Sequence, residues 1–421
     1  MSGEVKSNSS ISDGKHEKDV EVGHELKELD SGYGEVDERK TMRYIDLRIL
    51  PVLAITYAFS IIDRVNLGSA RVAGMGKDLE LNVGSRYSIV NCIYFIPLML
   101  LQVPGNVILR FVVVRYWITF IVISWGIVVF GMGFVKHWGL LALCRVFVGA
   151  LEIIEGAITV ALGILVFFVI PDFPDRNTFL TKAQTAFVLK RIEEDRGDSV
   201  PDEMTARKVL DHLSDWTLWV YGIMFGCATI PGYMLAFFLP IILGGLNFNT
   251  TQSLLLTCPP FAASCVTAMI FAWLSDKTKH RSGFIVIQCL ITITGACMTA
   301  FAESIAARYT GAFFMCCGCQ GCIPGILAWG ANNVTSQSKR SVQSALTIAV
   351  GGFGGVIAST VFREKDSPKY IPGLWVTIGL QIVCIILTIA LSLHFSRMNR
   401  LAEEGRLAKP LQGKPGFRYT L

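Results

Sequence analysis

Long runs of apolar residues, each long enough to cross a lipid bilayer, recur along this chain of 421 residues. A membrane helix needs about 20 such residues, because each residue adds about 1.5 Å and the hydrocarbon core is about 30 Å thick. Runs such as Trp216–Leu243 and Gly373–Phe395 meet this length. A large soluble enzyme cannot carry so many, since they leave no polar face for water. The sequence therefore predicts an all-α polytopic membrane protein.

Charge is spread unevenly along this apolar chain. Residues 1–42 hold eleven acids and six bases, whereas the remainder has a net charge of +10. A basic excess scattered over short loops is typical of membrane topology and not of a nucleic-acid surface. We therefore predict no nucleic-acid partner. The segment 1–42, which lacks periodic apolar residues, is predicted to be a disordered cytosolic tail.

The apolar runs predict ten spans, and the basic short loops place both termini in the cytosol. Four spans form a truncated N-terminal bundle (43–170), a polar cytosolic linker (171–214) follows, and six spans form a C-terminal bundle (215–396) before a basic cytosolic tail (397–421). The predicted spans are Arg48–Ile62, Tyr87–Leu109, Trp117–Val135, Trp138–Ile170, Trp216–Leu243, Ser253–Leu274, Phe284–Ala302, Gly311–Gly330, Val342–Phe362 and Gly373–Phe395.

The fourth run, Trp138–Ile170, has an unusual length and unusual charges. It is too long for one span of about 20 residues and too short for two spans with a turn. It contains Arg145, Glu152 and Glu155. Charges at such a depth are costly and usually mark a transport path or a proton relay. This run is therefore the first place to look for a functional site.

Arg145 and Glu152 are two helical turns apart, so they project from nearly the same face about 10 Å apart. Gly149 between them lets another helix approach that face closely. An arginine and a glutamate facing one cavity can bind a carboxylate and a proton alternately. The alternative is a structural ion pair inside the membrane.

A second polar cluster, Asp63, Arg64 and Asn66, ends the first span. One interpretation is an interfacial cap whose charges meet water. The other is a buried carboxylate that takes up a proton while Arg64 binds an anion.

Motifs for other chemistry are missing from the sequence. A Gly-rich loop ending in Lys-Ser/Thr, which ATP-driven transport requires, does not occur, and we predict neither a cofactor nor an enzyme. The cysteine-rich run 316–322 lies in an apolar span without histidine, so we predict packing by small side chains and no metal site.

Several short motifs together resemble the anion:cation symporter branch of the major facilitator superfamily, and within it the fungal allantoate and nicotinate permeases. The similarity extends over about 40–400. The motifs are Asp46-Leu-Arg48-Ile-Leu-Pro51, Asp63-Arg64-x-Asn66-x-Gly68, Gln102-Val103-Pro104-x-Asn106, Pro171-Asp-Phe-Pro174, Phe179-Leu180-Thr181, the loop Asp276–Arg281, Trp329-x-x-Asn332-Asn333, Lys339-Arg340, Gly354-Gly355 and Pro368-x-Tyr370.

This resemblance implies a fold of two six-helix bundles and proton-coupled uptake of a small carboxylate across the bilayer, most simply at the plasma membrane. It implies substrate or proton contacts for one set of residues and conformational or gating roles for another. The first set is Asp63, Arg64, Asn66, Arg145, Glu152 and Asn332, and the second is Gly149, Asp276, Arg281, Gly354 and Gly355.

One departure from that family is large. Arg145–Glu152 resembles the middle of the family's fourth span, whereas Ile153–Ile170 resembles the end of its sixth. We therefore expect an internal deletion near Glu152 and Ile153, and an incomplete N-terminal bundle of about four spans. The alternative to a transporter is a truncated isoform, a product of an erroneous gene structure or a membrane sensor that does not transport.

Overall fold

The computed structural model of the protein describes residues 37, 39–47, 51, 67–81, 83–108, 114–151, 181, 184–185, 187–188, 205–244, 249–362, 366, 370–407, 410–414 and 416–421. These residues form helices, turns and loops, and none of those described is in a strand. The main helices are Arg86–Ile108 (α1), Val114–Met132 (α2), Trp138–Leu151 (α3), Ala206–Leu213 (α4), Trp216–Gly244 (α5), Thr250–Leu255 (α6), Cys258–Thr278 (α7), Arg281–Phe301 (α8), Ile305–Asn332 (α9), Gln337–Val361 (α10) and Ile371–Glu403 (α11).

The C-terminal half contains six candidates for crossing a membrane among the described residues. Five are the single helices α5, α8, α9, α10 and α11, and α6 with α7 makes the sixth, Thr250–Thr278. This confirms the predicted helical membrane fold with six spans after the linker. In the N-terminal half, α1 and α2 lie where the second and third spans were predicted.

Other boundaries differ from the prediction or lie outside the described residues. The predicted span Ser253–Leu274 is broken at 256–257, because Pro259 and Pro260 fit the first turn of a new helix and not the middle of one. The last span continues to Glu403. Residues 39–47 are helical, so helix begins within the predicted tail 1–42. Nearly all of Arg48–Ile62, and the run from 152 to 170, lie outside the described residues.

Helix α5 is at the centre of the C-terminal bundle and is buried along most of its length. Helix α10 packs beside it and also contacts α1, so α10 connects the two halves of the molecule. Helix α3 packs on the other side of α1. The polar site around Arg145 therefore lies where α1 passes between α3 and the C-terminal bundle.

The loops predicted to be cytosolic meet at one end of the helices. The Lys339 ammonium lies 2.6 Å from the Asp215 carboxylate, which joins the starts of α10 and α5. The backbone N–H of Arg281 donates to the carbonyl of Leu421 over 2.6 Å. The predicted topology requires these segments to lie at the same end of the helices.

Candidate functional site

Arg145 lies on α3 and is only 4% exposed. Its guanidinium carbon lies 5.6 Å from the ring centroid of Tyr94 on α1. A guanidinium over an aromatic face gains electrostatic attraction from the ring quadrupole, which offsets part of the cost of removing the charge from water. The structure therefore places a buried cation against an aromatic surface at the contact of α1 and α3.

Gly149 fixes the position of Arg145 relative to α1. A Cβ atom at Gly149 would overlap the backbone carbonyl of Tyr94 and touch the ring of Pro97. Only glycine permits this approach, because a backbone carbonyl in a helix cannot move aside. Since Arg145 lies one turn before Gly149, the close crossing brings its guanidinium toward Tyr94.

The face of α1 toward the C-terminal bundle carries Tyr87, Asn91 and Tyr94, spaced at helical intervals of four and three residues. The Tyr87 hydroxyl donates to the carbonyl of Phe237 on α5 over 3.2 Å. The Asn91 amide donates to the carbonyl of Tyr87 over 3.2 Å. The Tyr87 hydroxyl thus connects α1 to α5, whereas the Asn91 amide bonds within α1, and all three side chains are buried.

A second cation approaches the same face from the segment before α1. The guanidinium carbon of Arg71 lies 4.1 Å from the ring centroid of Tyr87. Arg71 begins the π-helical turn Arg71–Met75, in which Gly74 has φ of 140°. Turns of this type often occur at functional sites, because the extra residue redirects a side chain. Arg71 and Arg145 therefore lie against two different rings of α1, those of Tyr87 and Tyr94.

Aromatic rings from α1 and α5 continue the site toward the bundle interface. Phe95 meets Tyr233 edge to face at 4.9 Å between ring centroids, and Tyr233 stacks on Phe237 at 6.0 Å. Guanidinium groups and tyrosine hydroxyls can bind the charged end of a planar organic anion. Flat apolar rings can pack against its other end.

Gly354 and Gly355 allow α10 to contact a different partner on each side. A Cβ atom at Gly354 would overlap the Thr229 hydroxyl on α5, and one at Gly355 would overlap the Phe95 ring on α1. The two glycines therefore stand at the contact between the N-terminal helices and the C-terminal bundle.

Other predicted residues lie away from Arg145 or outside the described part of the chain. Asp276 and Arg281 form an ion pair across the turn between α7 and α8. Asn332 is exposed at the end of α9 and does not join the Arg145 site. The next residue, Asn333, is buried and donates to the Tyr221 hydroxyl over 3.0 Å. The residues outside the described part are Asp63, Arg64, Asn66 and Glu152.

Sequence reasoning missed Arg71, Tyr87, Asn91 and Tyr94. The helical spacing of the three α1 residues within an apolar run was a usable signal. Arg71 gave a weaker one, because it follows the polar end of the predicted first span and no motif includes it.

The cysteine-rich run shows a contact that involves other helices. Cys322 meets Cys289 of α8 and Cys384 of α11, and the three sulfur atoms lie within 4.8 Å of one another. All three thiols are buried in the apolar interior of the C-terminal bundle. Their contact agrees with packing by small side chains between helices.

Comparison with known proteins matches a long segment that follows Arg145 and Gly149 to a protein family. Residues 150–359 match the family model described as Major Facilitator Superfamily. The chain is similar to a fungal protein named MFS transporter prlL, with 26% identity over 84% of this chain and 86% of the relative. It is also similar to the High-affinity nicotinic acid transporter of Saccharomyces cerevisiae, with 21% identity over 86% of this chain and 79% of the relative.

A solved structure gives the same result for the fold. A bacterial homologue of the human lysosomal transporter Spinster, in an inward-facing and occupied conformation, superposes with a TM-score of 0.58. The match covers 86% of this chain and 99% of that chain at 13% identity, so it shows a shared fold. The protein has the major facilitator fold, and its homologues support a secondary transporter.

Proposed function

We propose that this major facilitator chain carries a small organic anion across the membrane by alternating access, driven by protons. The observation that carries the proposal is the burial of Arg145 on α3 against the Tyr94 ring of α1. A buried guanidinium inside a membrane helix is more compatible with an anionic ligand than with a cationic one, because burial strengthens its field.

The chemistry of the surrounding side chains suggests a carboxylate. A guanidinium offers parallel N–H donors that match the two oxygens of a carboxylate, and tyrosine rings cover flat apolar groups. One similar protein is named as a nicotinic acid transporter, and nicotinate is a planar aromatic carboxylate. We therefore propose the carboxylate class that includes nicotinate and allantoate.

Proton coupling is assigned to the acids that the sequence singles out, Asp63 and Glu152. Glu152 is seven residues after Arg145 in the sequence, and a helix continued through it would place the two side chains two turns apart. Protonation of a carboxylate there would weaken its attraction for the arginine and release that cation to the substrate. We place Arg64 and Asn66 with Asp63 as further polar contacts of the path, and Asn332 at its far end.

Alternating access in this fold moves one bundle against the other around a site near the membrane centre. We propose that the contact of α1 with α10 at Gly354 and Gly355 is where that motion occurs. The Asp276–Arg281 ion pair would hold α7 against α8 during the motion. The proposed orientation has both termini in the cytosol, in the plasma membrane.

Uptake of radiolabelled nicotinate into cells producing the full chain tests the proposal. We expect uptake to rise when the outside is acidified, and to fall about 10- to 100-fold in Arg145→Ala and in Arg71→Ala, since each loses a charge-assisted contact. Arg86→Ala is the matched control, because Arg86 pairs with Glu80 at the start of α1 and lies in an exposed ion pair. Unchanged uptake by Arg145→Ala would contradict the assignment.

A specific observation also supports the alternative of a truncated product. The alignment with prlL is 426 positions long and covers 84% of the 421 residues, which is about 354 residues, so roughly 70 positions lack a counterpart here. The total agrees with sequence of the relative that this chain lacks, and we propose that the missing stretch lies near Glu152 and Ile153. Sequencing the transcript and the genomic DNA across this junction tests it, and finding no missing span encoded in frame would contradict the deletion.

A further inference from the structure

Three cysteine thiols from three different helices converge inside the C-terminal bundle. They are Cys289 of α8, Cys322 of α9 and Cys384 of α11, and their sulfur atoms all lie within 4.8 Å of one another. The sulfur atoms of Cys289 and Cys322 are 3.9 Å apart. Each of the three residues is at most 1% exposed. Packing between helices explains why each side chain is small, but it does not require three thiols to point at one another.

Contacts beside the thiols fix the relative positions of the helices. Gly321 lets α9 approach α8 closely, because a Cβ atom there would overlap the side chain of Gln288. These two residues are the sequence neighbours of the α9 and α8 thiols. On α11, Gln381 lies three residues before Cys384, and its amide donates to the carbonyl of Cys227 on α5 over 2.7 Å. The three sulfur atoms are therefore held by packed helices, as a preorganised set of metal ligands requires.

The spacing of the sulfur atoms fits one soft metal ion with three ligands. A metal–thiolate bond is about 2.3 Å long, so three sulfur atoms in a plane around one ion are about 4.0 Å apart. The measured 3.9 Å between two of them agrees with this value. Among the described residues, no histidine, carboxylate or fourth cysteine joins the group, whereas a structural zinc ion takes four such ligands. Cu(I) prefers sulfur ligands and is stable with three of them.

Charge balance inside the bundle also favours a monovalent ion. The thiols belong to an apolar cluster that includes Ile285, Ile326 and Leu391, where a net charge is costly. When Cu(I) binds, one thiol loses its proton to water, and one thiolate with two neutral thiols then balances the single positive charge. No atom is oxidised or reduced in this step. A divalent ion would require a second thiol to lose its proton in the same apolar surroundings.

We propose that Cys289, Cys322 and Cys384 bind one Cu(I) ion that joins α8, α9 and α11. With the predicted topology, the first two thiols lie within about 15 Å of the cytosolic ends of their helices, since each residue adds about 1.5 Å. The cytosol keeps thiols reduced, and the cysteines of the described residues are free. The proposal is independent of what the transporter carries.

Purified full-length protein in detergent tests the proposal, under anaerobic conditions with ascorbate as reductant. The protein is loaded with Cu(I) and then challenged with the chelator bicinchoninate, which removes weakly bound copper. We expect one Cu(I) to be retained per chain, with an X-ray absorption spectrum that shows three sulfur neighbours at about 2.3 Å. Retention of no copper, or a retained ion with fewer than three sulfur neighbours, overturns the proposal.

Substitution of one thiol shows whether the retained ion is bound at this cluster. A hydroxyl is a poor ligand for a soft ion, so Cys322→Ser should lower the affinity for Cu(I) more than about 100-fold, the largest loss usual for an outer-shell partner. Cys319→Ser is the matched control, because Cys319 is buried one turn earlier on α9 and is not in the group. Unchanged affinity in Cys322→Ser, or an equal loss in both variants, overturns the proposal. If Cys322→Ser is not monodisperse, Cys384→Ser replaces it under the same criterion.

Discussion

Arginines are buried both in the C-terminal helices α5–α11 and before α4, but in different surroundings. In the C-terminal bundle most buried polar side chains are uncharged, and several donate to backbone carbonyls, as where the Gln381 amide donates to the carbonyl of Cys227 over 2.7 Å. Its buried arginine, Arg308, lies in the first turn of α9 and donates to the carbonyl of Thr299. Before α4, Arg145 lies near the end of the described part of α3 and faces a tyrosine ring.

These two settings correspond to two roles that buried polar side chains have in a membrane protein. Amides and hydroxyls bonded to helix backbone hold helices together at little electrostatic cost. A buried guanidinium costs much more and persists where it meets a charged partner or ligand. We therefore expect substitutions in the two regions to affect different quantities, transport in one and stability in the other.

The largest expected effect is on transport. Arg145→Gln keeps the size and polarity of the side chain but removes the charge, so anion uptake should fall about 100-fold while the melting temperature changes little. Uptake per folded molecule and the melting temperature are both measured. A large loss of melting temperature with uptake retained would show that Arg145 is structural, and would remove the contrast between the two regions.

Substitution of Gly149 should have the next largest effect, on stability. Gly149→Ala places a Cβ atom against the carbonyl of Tyr94, so α1 and α3 must separate at a cost of about 1–3 kcal/mol. Gly139→Ala is the control on the same helix, because no atom lies within 4 Å of its Cβ position. Equal melting temperatures of the two variants would contradict the close crossing.

Gly355→Ala tests the same kind of contact at the interface of the bundles. The obstacle there is the Phe95 side chain, which can rotate, and not a backbone carbonyl. We therefore expect a smaller loss of stability than for Gly149→Ala, together with a slower transport cycle. Gly379→Ala, which meets nothing within 4 Å, is the control.

Gln381→Leu should lower stability by about 1 kcal/mol and leave uptake per folded molecule unchanged. The reason is that its amide bonds only within the C-terminal bundle, to the carbonyl of Cys227. Measuring chemical unfolding in detergent beside transport checks both parts. An uptake defect without a loss of stability would extend the transport site into the C-terminal bundle.

The smallest expected effect is on the pH dependence of stability, through Asp215 just before the start of α5. Burial raises the pKa of Asp215, but hydrogen bonds from Lys339 and Thr217 outweigh it and leave the pKa below its ordinary value of 3.8. The carboxylate thus contributes stability above pH 3.8, which is lost as the pH falls through the lower folded pKa. For a partly exposed pair the contribution is below about 1 kcal/mol. Asp215→Asn should melt lower than the unmodified chain at pH 7, and the difference should shrink as the pH falls below 3.8.

Much of the helical framework could be predicted from sequence, because a membrane helix needs an apolar run long enough to cross the bilayer. Helix α5 begins at the predicted Trp216 and ends one residue after the predicted Leu243. Arg145 was predicted as a site candidate for a related reason, since a charge in an apolar run has few structural explanations. The predicted roles of Asp63 and Glu152 stay predictions.

Contacts between distant segments could not be predicted in the same way. The Tyr87 hydroxyl meets a carbonyl 150 residues further along the chain, and no local pattern specifies that partner. The docking of the tail is similar, because its hydrogen bonds to Trp329 and Asn333 are made by the backbone of Thr420. A basic tail looks the same in sequence whether it is solvated or bound.

The sequence by itself determined that this chain is a helical membrane protein, approximately where several spans lie, and which buried charges are unusual. These properties follow from the free energy of placing each side chain in lipid, which is a sum over local sequence. Tertiary structure alone decided that Arg145 lies over Tyr94 and Arg71 over Tyr87, and that the tail docks on Trp329 and Asn333. Such groupings depend on how helices cross, and a crossing is set by close contacts such as Gly149 on Tyr94 that no single segment contains.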